Sequence, residues 1–156
     1  FENRIRFVLE IVEEMKKFIT TESLWIRLSA TDWAENGWNL EETIKLCKIL
    51  KENGVEVMDI STGGGVSHQE IEIKKNYQVP FASAIKNEVG CITGAVGLIF
   101  ESNQAEEILQ NNEADLIFLA RELLRDPYFA LRAAKELGDD IKWLPQYERA
   151  KNNHYA

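Results

Sequence analysis

ADLIFLARELLRDP, residues 114–127, is the stretch on which the reading of the fold turns. An apolar run from Leu116 to Leu119 stops abruptly at Ala120–Arg121, and a helix-like stretch then runs on to Asp126–Pro127. A buried strand that delivers a small residue and an arginine at its carboxyl end is a common way to hold a phosphate. A core strand followed by an ordinary charged helix start has the same pattern. The stretch alone leaves both open, so the rest of the chain has to decide.

Working back from it, the same unit recurs. Residues 101–112 read as a helix, preceded by an apolar strand at 91–96 (CITGAV) that ends at Gly97. Pro80 opens a helix to about Val89, since proline is tolerated in a first turn, and Gly90 ends it. Residues 66–79 form a long polar connection; His68 within it has no partner pattern and reads as a surface residue. Residues 55–61 (VEVMDIS) are a strand that runs into Ser61–Thr62–Gly63–Gly64–Gly65, where backbone N–H groups can approach a ligand closely. Asn39 is a candidate N-cap for a helix to about Asn53, with Glu41 and Glu42 in its first turn. Residues 24–30 (LWIRLSA) read as a buried strand carrying Arg27, which needs an anionic or carbonyl partner. That partner is either a carboxylate such as Asp59 or a ligand. Residues 2–19 have apolar positions at helical spacing, from Ile5 to Phe18–Ile19, and predict a helix with one buried stripe. Beyond Arg121 come a short helix at 122–125, a longer one at about 127–137, and an irregular polar tail at 139–156.

Strands alternating with helices imply an α/β fold with parallel pairing and right-handed crossovers. Ligands in such folds sit at the carboxyl ends of the strands. Those ends carry Arg27, Ser61–Gly63, Val96–Gly97 and Ala120–Arg121, all on one face. Two glycine-bearing loops and a terminal arginine fit the phosphate site of a (β/α)8 barrel.

The bulk numbers agree with a single domain. The chain has 156 residues, 45% of them hydrophobic and 28% charged, within the ordinary globular range. A net charge of −8 argues against nucleic acid or an anionic membrane as partner, because both need a basic face. Cys47 and Cys91 lie in no CxxC spacing, which gives zinc and dithiol chemistry no support; they read as reduced thiols of a cytoplasmic protein. No apolar run nears the roughly 20 residues of a membrane span, and no signal peptide is visible. The sequence opens at Phe1 directly on helical spacing, which reads as a chain cut from something longer.

Several segments resemble one known family in order and spacing. ENRIRF (2–7), LWIRLSATDW (24–33), VMDISTGGG (57–65), NYQVPFASAIK (76–86), TGAVGLI (93–99), the stretch from Ala105 to Phe129, and LPQYERA (144–150) resemble the Old Yellow Enzymes, FMN-dependent ene-reductases. Within that family they are most similar to the NADPH dehydrogenase and xenobiotic reductase subclass. The resemblance implies the C-terminal half of a TIM (β/α)8 barrel, strands five to eight, over residues 1–156. It also implies FMN as cofactor, NADPH or NADH as reductant, and a small electrophilic substrate such as an enone.

Carried over residue by residue, the resemblance places Arg27 against the flavin N1–O2 edge, where a cation stabilises anionic reduced flavin. It places Ser61 and Gly63 beside the FMN tail, and Val96, Gly97, Ala120 and Arg121 around its phosphate, a group suited to backbone N–H donors and a guanidinium. It implies that Arg149 reaches a neighbouring subunit's active site, with Tyr147 and Trp143 holding the 139–156 tail at a subunit interface of a homo-oligomer. A tail packed on its own subunit is the alternative. Ala120 replaces the family's usual glycine, so a methyl group is expected to crowd the phosphate. Thr62 and the pair Lys75–Asn76 are milder departures. The family's substrate-anchoring His pair, flavin-tuning Cys or Thr, flavin-binding Gln and proton-donating Tyr belong to its other half, and neither His68 nor His154 matches them. The resemblance therefore implies no catalytic residue in this chain. A non-catalytic half-barrel that binds FMN phosphate weakly or self-associates is the alternative reading.

Overall fold

The computed structural model describes residues 1–151. Its elements are α1 (Glu2–Lys16), β1 (Trp25–Ser29), α2 (Leu40–Glu52), β2 (Val57–Ser61), α3 (Val79–Val89), β3 (Ile92–Ala95), α4 (Ser102–Gln110), β4 (Leu116–Ile117), α5 (Arg121–Arg125) and α6 (Phe129–Glu136), with a 3₁₀ turn at Glu148–Ala150. The four strands form one parallel sheet in the order β1-β2-β3-β4. Each strand returns to its neighbour through a helix, as parallel pairing requires. All four carboxyl ends therefore lie along one rim.

The two faces of the sheet differ. Leu24, Met58, Ile60 and Ala95 belong to the main apolar cluster, with Leu46, Cys47 and Leu50 of α2 and Val79, Ala82 and Ile85 of α3. Ile26, Leu28, Ile117 and Leu119 pack against it. On the other face the register sets Arg27 beside Asp59, Gly94 and Leu116, and Trp25 beside Val57 and Ile92. This second face is open, with Trp25 51% and Ile92 46% exposed. Phe118 lies across it, and a Cβ on Gly94 would fall 2.0 Å from the Phe118 ring. Trp25 meets the same ring edge-on at 6.2 Å between centroids. Glycine at 94 is what lets the phenyl ring lie flat on the sheet.

Local signals read from the sequence operate as physical caps. The Asn39 side chain accepts from the Glu42 N–H at 3.0 Å, and Gly90 ends α3 in the left-handed region. Pro80 sits in the first turn of α3. Asp115 ties three elements together: it accepts from Lys86 of α3 and from the Thr93 N–H of β3. Burial raises its carboxyl pKa, but the Lys86 and Thr93 hydrogen bonds and the Lys86 charge together hold it below the usual value. Both cysteines are free thiols; burial pushes Cys47 up to about 12 and raises Cys91 as well.

Three expectations need correction. The strand at 114–120 is neither long nor buried: β4 is two residues, half-buried, because it pairs only with β3. Backbone hydrogen bonds from Asp115 N to Thr93 O and from Phe118 N to Ala95 O extend its attachment by one residue each way. The α1 helix ends at Lys16, and only Ile5 and Val12 of its stripe are buried, while Ile11, Met15 and Phe18 face outward. The strand bearing Arg27 is not fully buried: its residues alternate between exposed and half-buried, with Arg27 on the open face.

Gly94→Ala is expected to destabilise the fold by about 1–3 kcal/mol through overpacking against Phe118. In a Phe118→Ala background the same change should cost far less, which a double-mutant cycle by urea denaturation would read directly.

Candidate phosphate-binding site

At the rim, the loops after β3 and β4 enclose an open cavity of about 160 Å³. Its wall includes Gln78, Val96, Gly97, Ala120, Arg121 and Arg125. This is below the roughly 300–1,000 Å³ of a pocket for a whole drug-sized ligand, so it suits a compact group at one end of a larger molecule. Val96, Gly97, Ala120 and Arg121, proposed from strand ends far apart in sequence, thus meet in one place.

The backbone around the cavity is held under strain by a buried side chain. Gly97 has φ +112°, and Leu98 follows at φ +51°, a conformation that a leucine rarely adopts. Gln104, at the third position of α4, fixes this turn. Its Oε1 accepts from the Phe100 and Glu101 N–H groups at 3.1 and 3.4 Å, and its Nε2 donates to Leu98 O at 2.8 Å and Asn76 Oδ1 at 2.6 Å. A capping box between Glu101 and Gln104 completes the helix start. The loop that shapes the cavity is therefore tied both to α4 and to the chain entering α3.

Arg125 donates to Glu122 Oε2 at 2.7 and 3.1 Å, and Arg132 lies 3.8 Å from Glu122 Oε1. Among the described residues none forms an ion pair with Arg121, which is exposed at the cavity mouth. Two guanidinium groups against one carboxylate leave the wall net positive. Ala120 has φ −114°, which a non-glycine residue adopts without strain, and it is exposed. Replacing glycine here leaves the backbone unstrained.

The remaining sequence candidates lie elsewhere. Arg27 Nε donates to Asp59 Oδ2 at 2.6 Å, and its guanidinium sits 5.9 Å from the Phe118 ring centre. Arg27 is on the open sheet face, with its side chain 55% exposed; the second Asp59 oxygen is buried without a partner. Gly63 lies under Ile71 and Gln69. Ser61 Oγ is 3.3 Å from Gln78 Oε1 and reaches the cavity only through that residue. In the tail, Tyr147 packs edge-on against Tyr128 of the same chain at 5.5 Å, and Lys151 Nζ donates to Ile141 O at 3.0 Å. Trp143 lines a separate hollow against α6, and Arg149 is exposed. His154 and the rest of 152–156 lie outside the described residues. Among the described residues no group of three or more His, Cys, Asp or Glu side chains could hold a metal ion. Gln78 and Gln104 were not singled out from the sequence; the only hint was a glutamine next to a predicted helix start.

A family model described as NADH:flavin oxidoreductase / NADH oxidase matches residues 1–140. The chain belongs to this family. An NADPH dehydrogenase of Bacillus subtilis (strain 168) is 47% identical over 148 residues, 95% of this chain and 43% of that protein. One from Halalkalibacterium halodurans is 48% identical over 149 residues, 96% of this chain and 44% of that protein. The chain thus spans less than half the length of these relatives. The solved structure of histamine dehydrogenase from Rhizobium sp. 4-9 superposes with a TM-score of 0.69 at 22% identity, covering 88% of this chain and 20% of that one. The fold is that of half a (β/α)8 barrel, with the open sheet face corresponding to the barrel interior.

Gln104→Leu is expected to destabilise the protein by about 1–3 kcal/mol, because it strips partners from the N–H groups of Phe100 and Glu101 and from Leu98 O. The loss should appear in urea denaturation, with faster hydrogen exchange confined to the loop after β3.

Proposed function

We propose that this chain is the FMN-phosphate-binding part of an NAD(P)H-dependent ene-reductase, which reduces activated C=C bonds of enones and related electrophiles. The observation that carries the reading is the cavity at the strand ends lined by both Gly97 and Arg121, the latter without an ion pair among the described residues. Its donor chemistry fits a phosphate dianion: Arg121 supplies charge-assisted hydrogen bonds, and the strained turn at Gly97–Leu98 brings backbone close. Bound FMN would accept hydride from NADPH or NADH and deliver it to the substrate's β-carbon.

This chain's own residues anchor and orient. Arg121, Gly97, Val96 and Ala120 hold the phosphate end. Arg27, on the open sheet face and hydrogen-bonded to Asp59, would hold the flavin ring edge and supply positive charge to its reduced form. The open face lined by Trp25, Val57, Ile92 and Phe118 excludes water from one side once the barrel is complete. In this reading the exposed Arg149 would meet a second subunit of a homo-oligomer, carried on a tail that Tyr147 pins to Tyr128 of its own chain. Among the described residues no helix is long and apolar enough to cross a membrane. We propose a cytoplasmic location.

Arg121→Ala is expected to weaken FMN binding by about 10- to 100-fold, the size of a lost charge-assisted hydrogen bond or two, while riboflavin binding stays unchanged. Flavin fluorescence titration measures both, and equal affinities for FMN before and after the change would refute the phosphate site. The chain by itself should not oxidise NADPH with cyclohexenone.

A further inference from the structure

Gln78 joins the two loops that the proposed site needs. It stands at the N-cap position of α3 and is 3% exposed, yet its side chain forms part of the cavity wall shared with Gly97 and Arg121. Its Oε1 accepts from Thr62 Oγ1 at 2.8 Å and from Ser61 Oγ at 3.3 Å, both at the carboxyl end of β2. With the oxygen held by two hydroxyls, the Nε2 end is turned towards β3. A Cβ on residue 97 would lie 2.6 Å from Nε2, so the amide occupies the space a side chain at 97 would fill. Glycine at 97 is needed for its positive φ and again for this close approach.

Among the described residues Nε2 makes no hydrogen bond, and it is not one of the buried polar atoms left without a partner, so it is a free donor at the cavity surface. We propose that Gln78 Nε2 donates directly to the phosphate group bound between Gly97 and Arg121, with Thr62 and Ser61 acting as positioning residues that fix the amide's orientation. This rests on the phosphate reading of the cavity. It reassigns Ser61 from a cofactor contact to a support for one. It also makes the site a junction of three strand ends: β2 through Thr62 and Gln78, β3 through Gly97, and β4 through Arg121. The charged arginine supplies attraction. The neutral amide supplies direction, because its N–H bonds cannot swing without breaking the two hydroxyl contacts.

The test titrates the full chain with FMN, riboflavin and inorganic phosphate as wild type, Gln78→Met, Gln78→Glu, Thr62→Val and Arg121→Ala. Gln78→Met keeps the side chain's length and removes the donor; it should weaken FMN and phosphate by about tenfold, the usual size of one lost hydrogen bond to a charged group, and leave riboflavin unchanged. Gln78→Glu keeps an oxygen for Thr62 and Ser61 but sets a carboxylate against the phosphate. It should weaken FMN further than Gln78→Met, with part of the loss recovered as the pH falls and the carboxylate protonates. Thr62→Val should give a smaller, phosphate-specific loss. If both Gln78 variants are folded by circular dichroism and keep the wild-type preference for FMN over riboflavin while Arg121→Ala loses it, the role of Gln78 is wrong and the phosphate site stands. If Arg121→Ala also keeps that preference, or the wild type has none, the site and the inference fall together.

Discussion

One face of the sheet is buried under helices, and everything else follows from that asymmetry. Met58, Ile60 and Ala95 are wholly buried in the cluster that α2 and α3 cover. At about 25 cal/mol for each Å² of apolar surface removed from water, Met58 and Ile60 each contribute on the order of 1.5–3 kcal/mol, and the smaller Ala95 less. A helix must return along the same face after every strand to cover them, so all strands run in one direction. Their carboxyl ends are then forced onto a common rim. Residues as distant in sequence as Thr62, Gly97 and Arg121 are thereby brought to the same rim.

Two buried glutamines hold the rim. Gln104 satisfies two backbone N–H groups and a carbonyl in a turn that contains a leucine at positive φ, and Gln78 bridges the β2 and β3 ends. Both glutamines are almost fully buried. Their amides replace the water that would otherwise solvate the loop, which fixes the cavity before any ligand arrives. Preorganised donors of this kind spend little of their binding energy on ordering. The open sheet face is built differently, with Arg27 held by one carboxylate oxygen and apolar side chains left in solvent. The NADPH dehydrogenases that the chain matches are more than twice its length, since it covers 43% and 44% of them.

Much of this was legible in the sequence because it is local chemistry. The Asn39 cap, Pro80 and Gly90 set the bounds of α2 and α3, and the alternation of apolar runs gave the parallel topology. The ends carrying Val96–Gly97 and Ala120–Arg121 were legible as a pair for the same reason. Other features depended on neighbours that sequence spacing does not name. Four apolar residues at 116–119 suggested a buried strand, but β4 has a partner on one side only and stays short. Ile11 and Met15 keep helical spacing within α1, but the helix stops at Lys16 before Phe18, and all three are exposed among the described residues. Gln78, within NYQVPFASAIK, carries no mark of its own, because its contacts run across 16 residues to Thr62 and to a close approach at Gly97.

The central claim is that a phosphate binds between Gly97, Gln78 and Arg121. A crystal structure of the chain grown with FMN tests it most directly. The account predicts phosphorus density in the cavity between the loops after β3 and β4, within hydrogen-bonding distance of the Arg121 guanidinium and the Gln78 amide. Flavin density with its phosphate lying elsewhere, for example on the open sheet face near Arg27, would contradict it.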